Sequence, residues 1–288
     1  MQTRTTGAGR IALEASGDDA VFSELAYAYP LKLLSPRCAA DRVGVAYLLN
    51  YGGGLVGGDE IDLAVDVRRG TRLLLLTQGT TKIFKKRTAA RTAAPGTDGV
   101  TRQHMEVNVE SDALLCLLPD PATCFGEAEY AQTQVFRLQH GASAIVLDAL
   151  TAGRMSRGEE WDFARYSSTN EIWLEGRRVV HDAVLLEADG RQPLRTRLKP
   201  YSCYATVILV GPLLQQTVAA MQVEYNKISQ MRRTAPPDFI WSLSTIEHGT
   251  VIVRAAATET EAVRGWLRDM LSGIRDVLGE DAFRMAFA

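Results

Sequence analysis

The chain has 288 residues, enough at about 150 per domain for one large domain or two small ones. Hydrophobic residues make up 46% of it and charged residues 23%, which excludes whole-chain disorder, collagen and coiled coil. The formal net charge is −2, so no global field draws the chain onto nucleic acid or an anionic membrane, and no apolar run reaches the roughly 18 residues of a membrane span.

Residues 1–20 are polar and rich in Thr, Gly and Asp. They lack the apolar stretch of a secretory leader and read as a flexible N-terminus. Further on, Ile61, Leu63, Val65 and Val67 alternate with Asp62, Ala64, Asp66 and Arg68, and Met105, Val107 and Val109 alternate with His104, Glu106, Asn108 and Glu110. This period of two predicts strands with one face on a core. Leu73–Leu76, Leu114–Leu118 and Ala144–Leu147 are short continuous apolar runs, as expected of strands buried on both faces. Turn residues separate the runs, and strands recur at intervals of roughly ten residues with little room for crossover helices. The expected fold is mainly β, a β-helix-like stack, sandwich or barrel. Residues 88–101, small and polar with one Pro and two Gly, read as a loop insertion.

Two helices are predicted in the last third. Leu214, Val218, Met221, Tyr225 and Ile228 repeat at helical spacing from Pro212 to near Arg233, ahead of Pro236 and Pro237. Val263, Trp266, Leu267, Met270, Leu271, Ile274, Val277 and Leu278 form a second stripe, with Thr258 and Glu261 as a capping box and Gly279 as a C-terminal cap. Phe239–Leu243 and Thr250–Ala255 read as strands between them.

The block Gly52-Gly53-Gly54-Leu55-Val56-Gly57-Gly58-Asp59 fits GxGxxG. A dinucleotide fingerprint must open a helix, whereas strand periodicity follows here. A phosphate loop needs Lys and Ser/Thr after its last glycine; Asp59 stands there instead. The block therefore binds no nucleotide. It reads as a tight turn that approaches another backbone or bends around a passage. Thr80, Thr81 and Lys82 follow a buried strand, where they either satisfy backbone groups or line a polar channel. The neighbouring basic run of Lys82, Lys85, Lys86 and Arg87 reads as a solvated face.

Asp148 shares its strand face with Ala144, Val146 and Leu150. An ionised carboxylate on an interior face costs several kcal/mol unless paired. Arg154 is the nearest partner in sequence. Two readings stay open: a structural Asp–Arg pair, or an acid inside a water-filled passage for a cation. Glu159, Glu160 and Asp162 add an acidic cluster, which reads as a solvated turn or as part of an acid pair with Asp148 for glycan hydrolysis.

His104, His140, His181 and His248 show no HxH, HxxH or HExxH spacing, and Cys38, Cys116, Cys124 and Cys203 form no CxxC pair. No disulfide framework or structural zinc site follows, and a cytoplasmic, thiol-reducing location is the expectation. Scattered carboxylates and hydroxyls suit weak, reversible binding of a divalent cation.

These stretches resemble one family, the urease accessory protein UreD (also called UreH). Tyr29–Leu34, the glycine block with Asp59, Thr77–Phe84, Leu118-Pro119-Asp120-Pro121, Thr151-Ala152-Gly153-Arg154 and Arg157-Gly158-Glu159-Glu160-Trp161 follow in the family's order. The family commonly carries Tyr where Phe84 stands. The resemblance implies a non-enzymatic nickel-insertion chaperone with a β-rich stack and two helices. It implies partnership with the all-helical UreF, through it with the GTPase UreG, and docking on apo-urease. No cofactor is tightly bound; nickel passes transiently. Carried onto this chain, Asp59, Asp148 and Glu160 become candidates for the nickel route. Gly52, Gly53, Gly54, Gly57, Gly58, Thr80, Lys82 and Arg154 become candidates for its lining or its structural loop. An interaction scaffold with no metal role is the remaining alternative.

Overall fold

The structure is a computed structural model and describes residues 6–85, 98–188, 190, 192–228 and 238–287. A hairpin of β1 (Ala8–Ser16) and β2 (Asp19–Tyr27) comes first, followed by β3 (Leu31–Leu34) and β4 (Val43–Asn50). The sequence predicts a flexible stretch over residues 1–20. From Ala8 onward it is ordered strand instead, because Ile11 and Leu13 are fully buried and β1 pairs with both neighbours.

From there the chain winds as a coil. It alternates between two sheets through β5 (Glu60–Val67), β6 (Arg72–Thr77), β7 (Thr81–Ile83), β8 (Thr101–Val109), β9 (Leu114–Leu117), β10 (Ala122–Cys124), β11 (Glu129–Leu138), β12 (Ser143–Thr151) and β13 (Arg165–Leu174). The first sheet has the order β14-β13-β11-β8-β5-β1-β2, where β14 is Arg177–Glu187. The second has the order β16-β17-β15-β12-β9-β6-β4-β3, where β15 is Cys203–Val210, β16 Phe239–Thr245 and β17 Val251–Ala257. Successive turns of the coil pair in parallel: β5 with β8, β8 with β11 and β11 with β13 in one sheet, β4 with β6, β6 with β9 and β9 with β12 in the other. The β-helix-like stack expected from the sequence is thus the architecture.

The hydropathy pattern explains the layers. The alternating strands β5 and β8 turn Ile61, Leu63, Val65, Val67, Met105, Val107 and Val109 into the space between the sheets. The continuous runs belong to the second sheet, which is covered twice. Leu73 and Leu75 face the first sheet, whereas Leu74 and Leu76 face the helices. Those helices are α2 (Gln215–Ile228), α3 (Thr260–Met270), α4 (Arg275–Leu278) and α5 (Glu280–Ala286), whereas α1 (Leu194–Leu198) packs Leu194 into a separate cluster with Tyr130 and Trp161. Two helices were expected; the described residues form five. The predicted end of the first, beyond Ile228, lies outside the described residues, as does most of the 88–101 loop, apart from residues 98–101. The second predicted helix breaks after Met270 into a 3-10 turn and α4. A Cβ on Gly273 would lie 2.8 Å from Thr217 Oγ1, so the turn seats glycine against α2. The Thr258–Glu261 capping box does not form: Glu259 stands at the N-cap and no side chain caps the helix.

Candidate functional site

The second sheet has an opening. β6 ends at Thr77 and the next strand resumes at Thr81; β9 ends at Leu117 and resumes at Ala122. On β12, β9 pairs with Ser143–Val146 and β10 with Leu150 and Thr151 alone, while the other side of β10 pairs with β7. Leu147, Asp148 and Ala149 therefore face a gap on that side. Pro119 and Pro121 sit in the interrupted segment, where a residue without an N–H cannot continue a ladder. Asp120 ties the rim together: its carboxylate accepts from the Gly79 N–H at 2.9 Å, and its own N–H donates to Thr77 Oγ1 at 2.8 Å.

Three hollows meet at this level. One of about 230 Å³ lies on the helix side, lined by Thr80, Pro119, Asp120, Ala149 and, from α3, Thr260 and Arg264. It shares Pro119, Asp120, Leu147 and Ala149 with a narrow cavity of about 40 Å³ that reaches Gln103, Gln132, Gln134, Tyr130 and Asp148 between the sheets. That volume holds a few water molecules at most. Asp148 also borders a third hollow of about 280 Å³, lined by Leu150, Tyr166, Leu186, Tyr204, Thr206 and Arg254.

Asp148 is the wall common to the narrow cavity and the third hollow. Its carboxylate accepts from Ser168 Oγ at 2.5 Å, Asn170 Nδ2 at 2.9 Å and the Tyr166 hydroxyl at 3.2 Å, all on β13 across the gap between the sheets. Gln132 Nε2 donates to Ser168 Oγ at 3.1 Å, and the Tyr130 hydroxyl lies 2.6 Å from Gln103 Oε1 and 3.0 Å from Gln132 Oε1. Register produces this layer. Gln103, Gln132 and Ser168 are consecutive partners across the first sheet, as are Gln134, Asn170 and Asp182. Facing them, Asp148, Thr206 and Arg254 are consecutive partners across the second, and Arg254 pairs with Asp182 between the sheets. Apolar clusters close the layer on both sides, one centred on Phe136 and Val146 and the other on Tyr130, Phe163 and Trp161. Burial, first, and then the nearby acidic groups push the Tyr130 and Tyr166 hydroxyls far above their ordinary range, so both stay protonated donors. Two buried acceptors in the layer, Gln134 Oε1 and Asn170 Oδ1, have no hydrogen-bond partner.

The expectations for individual residues divide. Asp148 faces inward with Ala144 and Val146, as its strand period requires. The expected Asp148–Arg154 pair does not form. The chain turns at Gly153, φ +113°, into a 3-10 turn that carries Arg154 out of the sheet. Arg154 binds Glu159 instead, Nε to Oε2 at 2.8 Å, and stacks 4.0 Å over the Phe125 ring. Glu159 also accepts from the Gly126 N–H at 3.1 Å, so it is committed to the turn. Glu160 lies in the same turn, 4.0 Å from Arg195. Asp59 closes its own loop by accepting from the Val56 N–H at 2.9 Å. The acids therefore do not converge, and among the described residues no group of three or more His, Cys, Asp or Glu is placed to hold a metal ion. Thr80 lines the outer hollow, whereas the Lys82 side chain is exposed. Lys82 contributes its carbonyl, which accepts from the Leu55 N–H at 2.8 Å. This is the backbone approach expected of the glycine block: a Cβ on Gly54 would lie 2.5 Å from that carbonyl oxygen. Gly52, Gly53 and Gly58 adopt φ of +71°, +79° and +88°, and Gly57 completes the turn into Asp59.

Asp120, Gln134, Asn170 and Arg254 were not read as site residues. Only Asp120 carried a signal, its place between two prolines.

Fold and site together define a two-sheet β-coil that encloses a polar layer and opens through one sheet toward a helical flank. The chain belongs to the UreD urease accessory protein family, whose model matches residues 5–287. It is 37% identical to urease accessory protein 4 of Cryptococcus neoformans over 95% of this chain and 93% of that protein. It is 35% identical to urease accessory protein D of Arabidopsis thaliana over 94% and 98% respectively. A bacterial relative, urease accessory protein UreD of Sorangium cellulosum, is 33% identical over 96% of this chain and 83% of its own length.

Proposed function

We propose that this urease accessory protein is a metallochaperone scaffold without turnover, which offers nickel a passage into apo-urease. The opening in the second sheet, with Asp148 as the wall common to the inner cavity and the hollow beyond it, carries the reading. Oxygen donors line that route, and oxygen sites bind a borderline divalent cation weakly enough to release it. Burial pushes the Cys124 thiol up to about 12 and the Cys203 thiol up to about 11, which keeps these two protonated and disfavours them as ligands. All four cysteines are free, in keeping with work in a reducing cytoplasm. The glycine block leads into a strand and lies against β7, which supports a division of labour with a separate UreG-like GTPase. The helical flank supports docking of a UreF-like partner. Nickel is cargo here, bound transiently, and no cofactor is retained.

In cells that make urease and the remaining accessory proteins, Asp148→Ala slows urease activation about tenfold, equivalent to ~1.4 kcal/mol on a barrier. Co-purification with the partner proteins stays intact. Normal activation by this variant refutes the passage, and loss of co-purification assigns Asp148 a structural role.

A further inference from the structure

The strongest unexplained feature is a pair of orphaned oxygens inside the polar layer. Gln134 is 5% exposed and Asn170 1% exposed, and neither Gln134 Oε1 nor Asn170 Oδ1 has a hydrogen-bond partner. A buried acceptor left unpaired destabilises the fold, so two in register neighbours call for an occupant. Gln134 and Asn170 are direct register partners on β11 and β13. Gln134 lines the cavity that holds Asp148, and Asn170 Nδ2 touches Asp148 Oδ2. The occupant these oxygens ask for must donate hydrogen bonds or carry positive charge.

Resting on the passage reading above, we infer that Asp148, Gln134 and Asn170 form an oxygen-only gate that passes a divalent cation with part of its water shell. A cavity of about 40 Å³ has room for an ion and a few waters but not for a full aqua complex with its second shell. Water on the cation donates to Gln134 Oε1, and the cation faces the Asp148 carboxylate. Asn170 holds the Asp148 carboxylate through Nδ2, which leaves its Oδ1 as the second unpaired acceptor of the layer. One carboxylate and two neutral carbonyls give a low charge count, the condition for weak binding at an oxygen site. The gate thus favours transit over storage. It also disfavours soft ions, because no thiolate takes part and the neighbouring Cys124 thiol is held protonated.

The test uses the purified full chain titrated with Ni²⁺ alone, together with the activation assay in cells. Gln134→Glu raises the charge count; it binds Ni²⁺ at least about tenfold tighter than wild type and slows activation, because the ion is held. Gln134→Leu removes an orphaned acceptor; it keeps or raises the melting temperature and still slows activation several-fold. Gln134→Met, of similar volume, guards against a packing artefact and behaves as Gln134→Leu does. Normal activation by both apolar variants, or unchanged Ni²⁺ affinity in Gln134→Glu, overturns the gate. If Asp148→Ala is slow while the Gln134 variants are normal, the passage stands and the gate falls. If all activate normally, the passage itself falls.

Discussion

Glu159 shows how one side chain holds the turn beside the site. The Arg154 hydrogen bond is the main cause that keeps its carboxyl below the usual glutamate range, with the Gly126 N–H adding to it. A group whose native pKa is depressed stabilises the fold above its unfolded value and loses that contribution as pH falls through the native value. Glu159→Gln is therefore less stable than wild type at neutral pH. The gap in urea midpoint narrows below the ordinary glutamate value of about 4.3; a gap independent of pH contradicts this account. Residues of this kind were half legible. That Asp148 faces inward follows from a period of two in its own strand. Its partners do not, because Tyr166, Ser168 and Asn170 reach it through the register of one sheet against another, which local sequence does not encode. Gln134 and Asn170 were invisible for the same reason: each reads as an ordinary polar place in an alternating strand, and only burial makes it exceptional.

Elements were more legible than contacts. The buried runs in β6, β9 and β12 announce a sheet covered on both faces, and β5 and β8 announce a sheet covered on one. The glycine block reads correctly as a close approach, and that approach can be tested. Gly54→Ala places a methyl 2.5 Å from Lys82 O and 2.8 Å from the Phe84 ring. Overpacking of this sort costs about 1–3 kcal/mol, measured as a lower unfolding midpoint, whereas alanine at Gly52 and Gly53 meets no neighbouring atom within 4 Å and is opposed only by their positive φ. An unchanged midpoint for Gly54→Ala refutes the close contact. The helical stripe from Val263 to Leu278 was legible as a buried face but not as a broken one. The break depends on Gly273 meeting Thr217 of α2, a tertiary contact that overrides a continuous helical pattern.

At the scale of the molecule, the opening arises because two neighbouring turns of the coil skip the same level. Ala149 stands in that gap and borders both the outer hollow and the inner cavity. Ala149→Phe fills the opening from the helix-side face, the face opposite Asp148 on β12. Urease activation in the complemented cells then falls at least about tenfold, while co-purification of the partner proteins persists. Undiminished activation means that the route, if any, bypasses the sheet. No single segment of sequence announces this feature, because its two sides lie at Thr77–Thr81 and Leu117–Ala122 and meet only when the strands stack.

The parallel stacking also constrains how such a chain can vary over time. Sliding β12 by one residue would turn Leu147 and Ala149 inward and swing Asp148 toward the helices, erasing the polar layer in a single step. A one-residue insertion or deletion inside β12 therefore costs the whole polar layer, whereas the same change at a bend between turns of the coil leaves the register intact.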